Sequence, residues 1–335
     1  MTPFLLPPKV RCSDGEMRRV GFELEYSGPE LETCARIVAE ITAGEIREIN
    51  PWHYVVGPTP WGDFTLTLDF QFLIRSGLQE WLHNAGFDEA MEQDEIDAIE
   101  YFIGSFSASL VPFELTTPPL PLNELEVMET LKEALRGAGA LGTAANPLYV
   151  FGFHINPEIP EMSVRTLLAY LRAYLVLYDL LAEEIRPVLT RRLSFYIDPF
   201  PSDYIRKVLH PAYRPTMEGF IDDYLEANPT RNRALDLLPL LAWNDLGRVR
   251  RALPAEKISP RPAFHFRLPN SRVDETGWHT SDAWNSWLHV ERLAEDTETL
   301  LSLAYARYRM MNSFFYRFRK KQWIKRIRQW AEASQ

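Results

Sequence analysis

Several short segments of this chain keep an apolar face and a polar face at the spacing of a strand. In the segment 21–26, three apolar residues alternate with Glu23 and Glu25. Because successive side chains of a strand point to opposite faces, such a segment buries one face and exposes the other. The same alternation recurs in four later segments: 63–72, 110–116, 149–156 and 261–268. The pattern predicts a strand in each of them.

The polar faces of these predicted strands carry residues that handle metal ions and phosphate. They are acidic in the early segments and basic in the late ones. The residues, in chain order, are Glu23, Glu25, Asp69, Glu114, His154, Asn156, Arg261, His265 and Arg267. If the strands share one sheet, its polar face runs from an acidic end to a basic end. That combination suits a divalent cation beside a phosphate group.

Helical spacing of apolar residues separates these strands. It predicts a helix that begins after Pro29 and ends near Gly44. Asn123 is predicted to cap a helix over 124–135, and Ser163 a longer helix that ends near Pro187.

The remaining segments complete an α+β architecture. We expect a single strand over 45–56, paired with a strand over 63–73 through the turn 57–62. A helical insertion is predicted at about 75–106, and helices punctuated by proline at about 188–260. One or two long helices are predicted for 281–330. The expected division is a catalytic domain of residues 1–280 and a helical C-terminal extension of residues 281–335.

Composition excludes several classes of protein. The 335 residues are 46% hydrophobic and 13% aromatic, which is enough for a large core and unlike a disordered chain. The apolar runs are shorter than the roughly 18 residues that a membrane span needs, so we expect a soluble cytoplasmic protein. The only cysteines, Cys12 and Cys34, argue against a disulfide framework and against a cysteine-based zinc site.

Positive charge is concentrated near the C-terminus. The segment 307–328 holds nine basic residues and no acidic one. Taking these nine charges from the net charge of −10 leaves −19 on the rest of the chain. Aromatic residues interleave with the basic ones, a composition compatible with nucleic acid or an anionic membrane surface. We favour a terminal helix whose aromatic residues dock on the acidic body.

Five segments, taken in order, resemble the motifs of the amidoligase family. Members of this family are carboxylate–amine ligases related to glutamine synthetase and γ-glutamylcysteine ligase. The segments are 21–25, 66–69, 113–120, 152–156 and 261–267. The resemblance implies a curved, mainly antiparallel sheet with helices packed on its outer face. It also implies ATP and Mg²⁺ on the concave face, and an amide bond formed through an acyl phosphate.

The resemblance also implies roles for individual residues. Glu23, Glu25 and Glu114 would bind metal, and His154 would bind metal or contact the nucleotide. Asp69 would belong to the same acidic rim. These five residues and Arg267 form the implied catalytic set. Nucleotide, phosphate or the substrate carboxylate would be bound by His154, Asn156, Arg261, His265 and Arg267. The chain departs from the family pattern at two positions. A small hydroxyl residue is common where this chain has Gln71, and an acid is common where it has His265.

Two other functions fit the same residues. A metal-dependent phosphoesterase would use the acids and His154 to activate water. A non-catalytic interaction protein could keep the fold, as the departures at Gln71 and His265 allow. For a ligase, the expected partners are small-molecule or peptide carboxylates and amines, with an ammonia-supplying or substrate-carrier protein as a further candidate. We expect no membrane span, and no role for nucleic acid beyond the basic tail.

Overall fold

The computed structural model describes residues 2–68, 112–145, 151–185, 198–256, 258–313 and 316–334. Within these ranges the chain forms an α+β fold with an open, mainly antiparallel sheet, which confirms the predicted class. The predicted insertion at 75–106 lies outside the described residues, as do Asp69 and Gln71.

The described residues form a nine-stranded sheet in which each strand pair is antiparallel. The strands are β1 (Arg19–Tyr26), β2 (Ile46–Asn50), β3 (His53–Val56), β4 (Phe64–Leu68), β5 (Phe113–Thr116), β6 (Leu120–Pro121), β7 (Phe153–Pro157), β8 (Leu235–Asp236) and β9 (His265–Phe266). Their order in the sheet is β2-β3-β4-β5-β1-β7-β9-β8, and β6 pairs with β1. The first strand in the chain is therefore central in the sheet.

Helices lie between and after the strands in the described part of the chain. They are α1 (Leu31–Thr42), α2 (Glu126–Gly137), α3 (Val164–Ile185), α4 (Ser202–Leu209), α5 (Met217–Ala227), α6 (Leu238–Asn244), α7 (Leu246–Ala252), α8 (Thr280–Glu295), α9 (Thr297–Met311) and α10 (Tyr316–Ala333). No helix among the described residues has both the length and the apolar character that crossing a membrane requires.

Three predicted elements need correction. Segment 45–56 folds as the hairpin of β2 and β3, because Pro51 cannot donate a ladder hydrogen bond and the Asn50 side chain accepts one from the Trp52 backbone at 2.9 Å. Asn123 is not a helix cap, since α2 begins at Glu126. The region 281–330 contains parts of three helices, because Asp296 caps α9 immediately after α8.

Other local predictions are confirmed. Ser163 caps α3, where its hydroxyl oxygen accepts a hydrogen bond from the Thr166 backbone at 3.2 Å. The alternation in β1 is also confirmed, because Phe22, Leu24 and Tyr26 are fully buried whereas the other face carries partly exposed acids. The apolar face of the sheet therefore packs into the core, and the polar face is left for chemistry.

The C-terminal helices pack against the sheet-bearing part of the chain. On α8, the Trp287 ring centroid lies 5.3 Å from that of Phe266 in β9 and 5.6 Å from that of Phe264, which precedes β9. Glu291 of α8 forms a buried ion pair with Arg18 at 2.8 Å. Tyr170 and Trp287 also donate to the Glu291 carboxylate, at 2.6 and 2.9 Å. The domain boundary expected at residue 280 stays a prediction.

A second buried acid joins two helices. Glu129 of α2 accepts hydrogen bonds from the backbone N–H and the hydroxyl of Thr280, at 2.8 and 2.6 Å. It thereby caps the N-terminus of α8 from outside that helix. Lys132 lies 2.9 Å from the same carboxylate.

The basic tail docks as a helix. Trp323 of α10 is 5% exposed and donates to the Val176 carbonyl of α3 at 3.2 Å. Asp179 of α3 pairs with Arg307 at 2.6 Å and with Lys320 at 3.0 Å. The expectation of a docked terminal helix is therefore confirmed for these residues.

Candidate functional site

The strand order brings the predicted polar residues to one face of the sheet. Glu114 on β5 lies opposite Glu25 on β1, and Glu23 on β1 lies opposite His154 on β7. His265 on β9 follows β7 in the sheet. The sheet order therefore places the acids of β5 and β1 next to His154 on β7, with His265 on the strand beyond.

His154 lies at the centre of this face. Its Nδ1 is 3.0 Å from Oε2 of Glu23, and its Nε2 is 3.5 Å from Oε1 of Glu25. The side chain is buried, and Nε2 has no hydrogen-bond partner among the described residues. Buried polar atoms are normally hydrogen-bonded, and an exception calls for an unseen partner. A cation bound at Nε2 satisfies this requirement.

Two groups of side chains around His154 could hold a cation. One contains Glu25, Glu114 and His154, and the other contains Glu23, His154 and His265. In each group, one ligand atom from every residue lies within 4.8 Å of the others. Two carboxylates and one imidazole are typical ligands for divalent cations such as Mn²⁺ and Zn²⁺, and carboxylates also bind Mg²⁺. The residues present therefore fit a divalent cation.

Neighbouring atoms fix the first group in place. The Gly152 backbone N–H donates to Oε2 of Glu25 at 2.6 Å, which leaves Oε1 directed at His154. The Thr116 hydroxyl donates to Oε1 of Glu114 at 2.9 Å. Anchored in this way, the acids of both strands are held for binding without a rearrangement.

Glu23 is already surrounded by donors. Besides His154, it accepts hydrogen bonds from Asn156 Nδ2 at 3.0 Å and from the Arg261 guanidinium at 3.2 Å. Burial alone would raise the pKa of the Glu23 carboxyl, but His265, His154 and Arg261 together hold this pKa well below its usual range. Glu23 is therefore ionised and fully engaged, which makes the group around Glu25 and Glu114 the better cation site.

Asn156 connects Glu23 to the basic end of the face. Because its Nδ2 donates to Glu23, its Oδ1 is an acceptor, and it receives hydrogen bonds from Arg261 at 2.8 Å and from Nδ1 of His265 at 2.7 Å. Burial and the charges of nearby cations hold the pKa of His265 well below its usual range. The contact with Asn156 Oδ1 places a proton on Nδ1 of His265.

The basic end also contains residues that the alternation pattern missed. The predicted Arg267 is buried and donates to the carbonyl of Arg231, a residue that was not predicted, at 2.6 Å. Asp236, opposite His265 in the sheet, is fully buried, and its Oδ2 lies 3.8 Å from Nε of Arg231. Burial raises the pKa of Asp236 to about 6, against the nearby arginine charges. The available signal was a single acid inside the apolar run 234–242.

The structure thus brings together most of the predicted site. The residues that share this network are Glu23, Glu25, Glu114, His154, Asn156, Arg261 and His265. Arg267 lies close enough for its charge to act on His265. Asp69 lies outside the described residues. The catalytic, metal and nucleotide roles of these residues stay predictions.

Comparison with known proteins gives one match. The model of a family described as "Putative amidoligase enzyme" matches residues 16–289. These residues include every strand of the sheet and the whole network around His154. Neither the curated proteins nor the solved structures gave a match.

Proposed function

We infer that this chain, which belongs to the amidoligase family, is a ligase that joins a carboxylate to an amine with ATP as the energy source. The observation that carries this proposal is the single polar face on which a carboxylate and imidazole cluster adjoins a guanidinium. The glutamine synthetase-like form of the sheet is part of the same proposal.

The chemistry of amide formation explains why the polar face of the sheet needs both its acidic cluster and its guanidinium groups. A carboxylate is a poor electrophile, so ATP converts it to an acyl phosphate that the amine then attacks. The amide bond forms as phosphate leaves. Both ATP and the carboxylate are anionic, and a site must offset their mutual repulsion. Guanidinium groups of Arg261 and Arg267 supply fixed positive charge at one end.

The acidic end would hold the metal. Glu25, Glu114 and Nε2 of His154 are the residues that fit a divalent cation. Such a cation, when bound, offsets charge on the phosphate groups of ATP. Glu23 acts through His154, because its Oε2 accepts the Nδ1 proton and so leaves the Nε2 lone pair free to bind. A direct contact of Glu23 with metal stays a prediction.

One observation favours a second function. The Glu23 carboxylate accepts hydrogen bonds within the protein from Asn156 and His154, and the Arg261 guanidinium offsets its charge. A site that satisfies its own charge needs no ligand for stability, as expected of a non-catalytic member that keeps the fold. This alternative predicts that neither nucleotide nor cation binds.

Product analysis distinguishes these functions. The protein is incubated with ATP, Mg²⁺ or Mn²⁺, and a mixed pool of amino acids, amines and carboxylates, and the products are identified by mass spectrometry. We expect a condensation product together with one ADP and one phosphate per amide bond. Glu114→Gln, which keeps the shape and removes one acid of the cluster, is expected to abolish it.

Three other results would contradict the proposal. Release of phosphate from phosphate esters without an amide product would identify a phosphoesterase. Formation of the amide product that is unaffected by Glu114→Gln would show that the acidic cluster does not carry the reaction. Absence of nucleotide binding at millimolar ATP, with either cation, would identify the non-catalytic alternative.

A further inference from the structure

A groove lies between the last two helices, away from the polar face of the sheet. It has a volume of about 470 Å³. Its lining comes from α9, α10 and Ser313, which lies two residues after the end of α9. The lining residues are Ala306, Arg309, Met310, Ser313, Arg319, Gln322, Trp323 and Arg326. All of them lie beyond residue 289, where the family match ends.

The arginines of this groove differ from the other basic residues of the tail. Arg307, Lys320 and Arg328 are each paired with an acid of α3. No acidic side chain among the described residues pairs with Arg309, Arg319 or Arg326, which are exposed. In a chain with a net charge of −10, three guanidiniums around one groove, none paired with an acid of the described residues, form a local anion-binding surface.

The apolar part of the lining argues against nucleic acid. Single-stranded nucleic acid binds by stacking bases on exposed aromatic rings. Trp323 is 5% exposed, and the guanidiniums of Arg307 and Arg326 lie 5.5 and 5.9 Å from its ring centroid. Little of the ring is therefore free for a base. Ala306 is partly exposed and offers a small apolar surface for an aliphatic side chain.

We propose that this groove binds an acidic peptide segment of a partner protein. Glutamate or aspartate side chains of the segment pair with Arg309, Arg319 and Arg326, because a guanidinium matches a carboxylate with two parallel hydrogen bonds. An aliphatic side chain between the acids packs on the partly exposed Ala306. The site is separate from the ligase centre and does not depend on the proposed function.

The test uses the full chain and a fluorescein-labelled peptide in which single leucines alternate with pairs of glutamates. Binding is followed by fluorescence anisotropy at physiological salt. The variant Arg319→Gln with Arg326→Gln removes two groove charges. The matched control, Lys321→Gln with Lys325→Gln, removes two exposed charges from the same helix outside the lining.

We expect the arginine variant to lose at least about tenfold in affinity, since it removes two groups that make charge-assisted hydrogen bonds to the carboxylates of the peptide. The lysine variant should lose less than about threefold, as expected for long-range charge alone. Exchanging the leucines of the peptide for serines should also weaken binding. Unchanged melting temperatures of both variants confirm that the fold is intact.

Several outcomes overturn the proposal. Equal losses in the two variants show a general charge effect rather than a site. Tighter binding of an oligothymidylate, lost in the arginine variant, assigns the groove to nucleic acid. Sedimentation that shows a dimer dissociating in the arginine variant assigns it to a second copy of this chain. No measurable peptide binding by the wild type rejects the site.

Discussion

Replacing Glu25 by glutamine separates a metal ligand from a structural acid. The amide oxygen of the new side chain can still accept the Gly152 hydrogen bond, so the local structure should persist. The change removes one of the two carboxylates that share a cation group with His154. Without cation, Glu25→Gln should leave stability unchanged or raise it, because it relieves repulsion between Glu25 and Glu114.

With cation, the expected difference follows from mass action. A cation at about one hundred times its dissociation constant stabilises the wild type by about 2.7 kcal/mol. If loss of a carboxylate ligand weakens binding about a hundredfold, the same concentration stabilises the variant by only about 0.4 kcal/mol. For a chain of 335 residues, the cation should therefore raise the melting temperature of the wild type by roughly 3–5 °C and that of the variant by about 1 °C or less.

Thermal unfolding across a series of Mg²⁺ and Mn²⁺ concentrations measures both values. Glu48→Gln is the matched control, because Glu48 is exposed on β2 and loses the same charge away from the cluster. Its cation-dependent shift should equal that of the wild type. An equal shift in Glu25→Gln would refute the assignment of Glu25 as a ligand. Marked destabilisation of the metal-free variant would show that Glu25 is a structural acid.

Two further predictions concern the buried acids. Glu291→Gln leaves Arg18 buried without a counter-charge and should lower the free energy of unfolding by about 3–5 kcal/mol. Glu295 lies on the same helix as Glu291 and forms a more exposed ion pair with Lys9, so Glu295→Gln should lower the free energy of unfolding by about 1 kcal/mol or less. Equal losses for the two variants in urea unfolding would contradict this difference. Although burial would raise it, hydrogen bonds lower the pKa of Glu129 from 4.5 to about 2, so its contribution is complete above pH 4.5 and is lost as pH falls to about 2. Glu129→Gln should remove this part of the acid sensitivity, and an unchanged pH profile would show that other groups cause it.

The polar face could be predicted because alternation reports burial residue by residue. Glu23 and Glu25 oppose buried apolar neighbours within the same strand, so their direction follows from the sequence alone. The strands share one sheet, and this places His154 beside them. The local alternation pattern was therefore sufficient to predict most residues of the site, although some of them are more than a hundred positions apart in the chain.

Other features depend on tertiary neighbours that a local pattern does not report. The ladder of β9 covers only two residues, although the alternation extends over 261–268. Arg261 reaches Glu23 from outside that ladder through its long side chain. From the sequence alone, Asp236 belongs to an apolar segment that fits either a helix or a strand. In the structure, the sheet places it opposite His265. Strand order, which decides these contacts, depends on packing and not on periodicity.

The central position of β1 determines when the sheet can form during synthesis. One edge of β1 pairs with β5, and its other edge pairs with β7, which ends at Pro157. β7 in turn pairs with β9, which ends at Phe266. At about 5–20 residues per second, a ribosome needs roughly 12–48 seconds to extend the chain from the end of β1 to the end of β9. During that time the open edges of β1 and then β7 can pair with other nascent chains, so chaperone binding to these two strands should matter more than binding to the later helices.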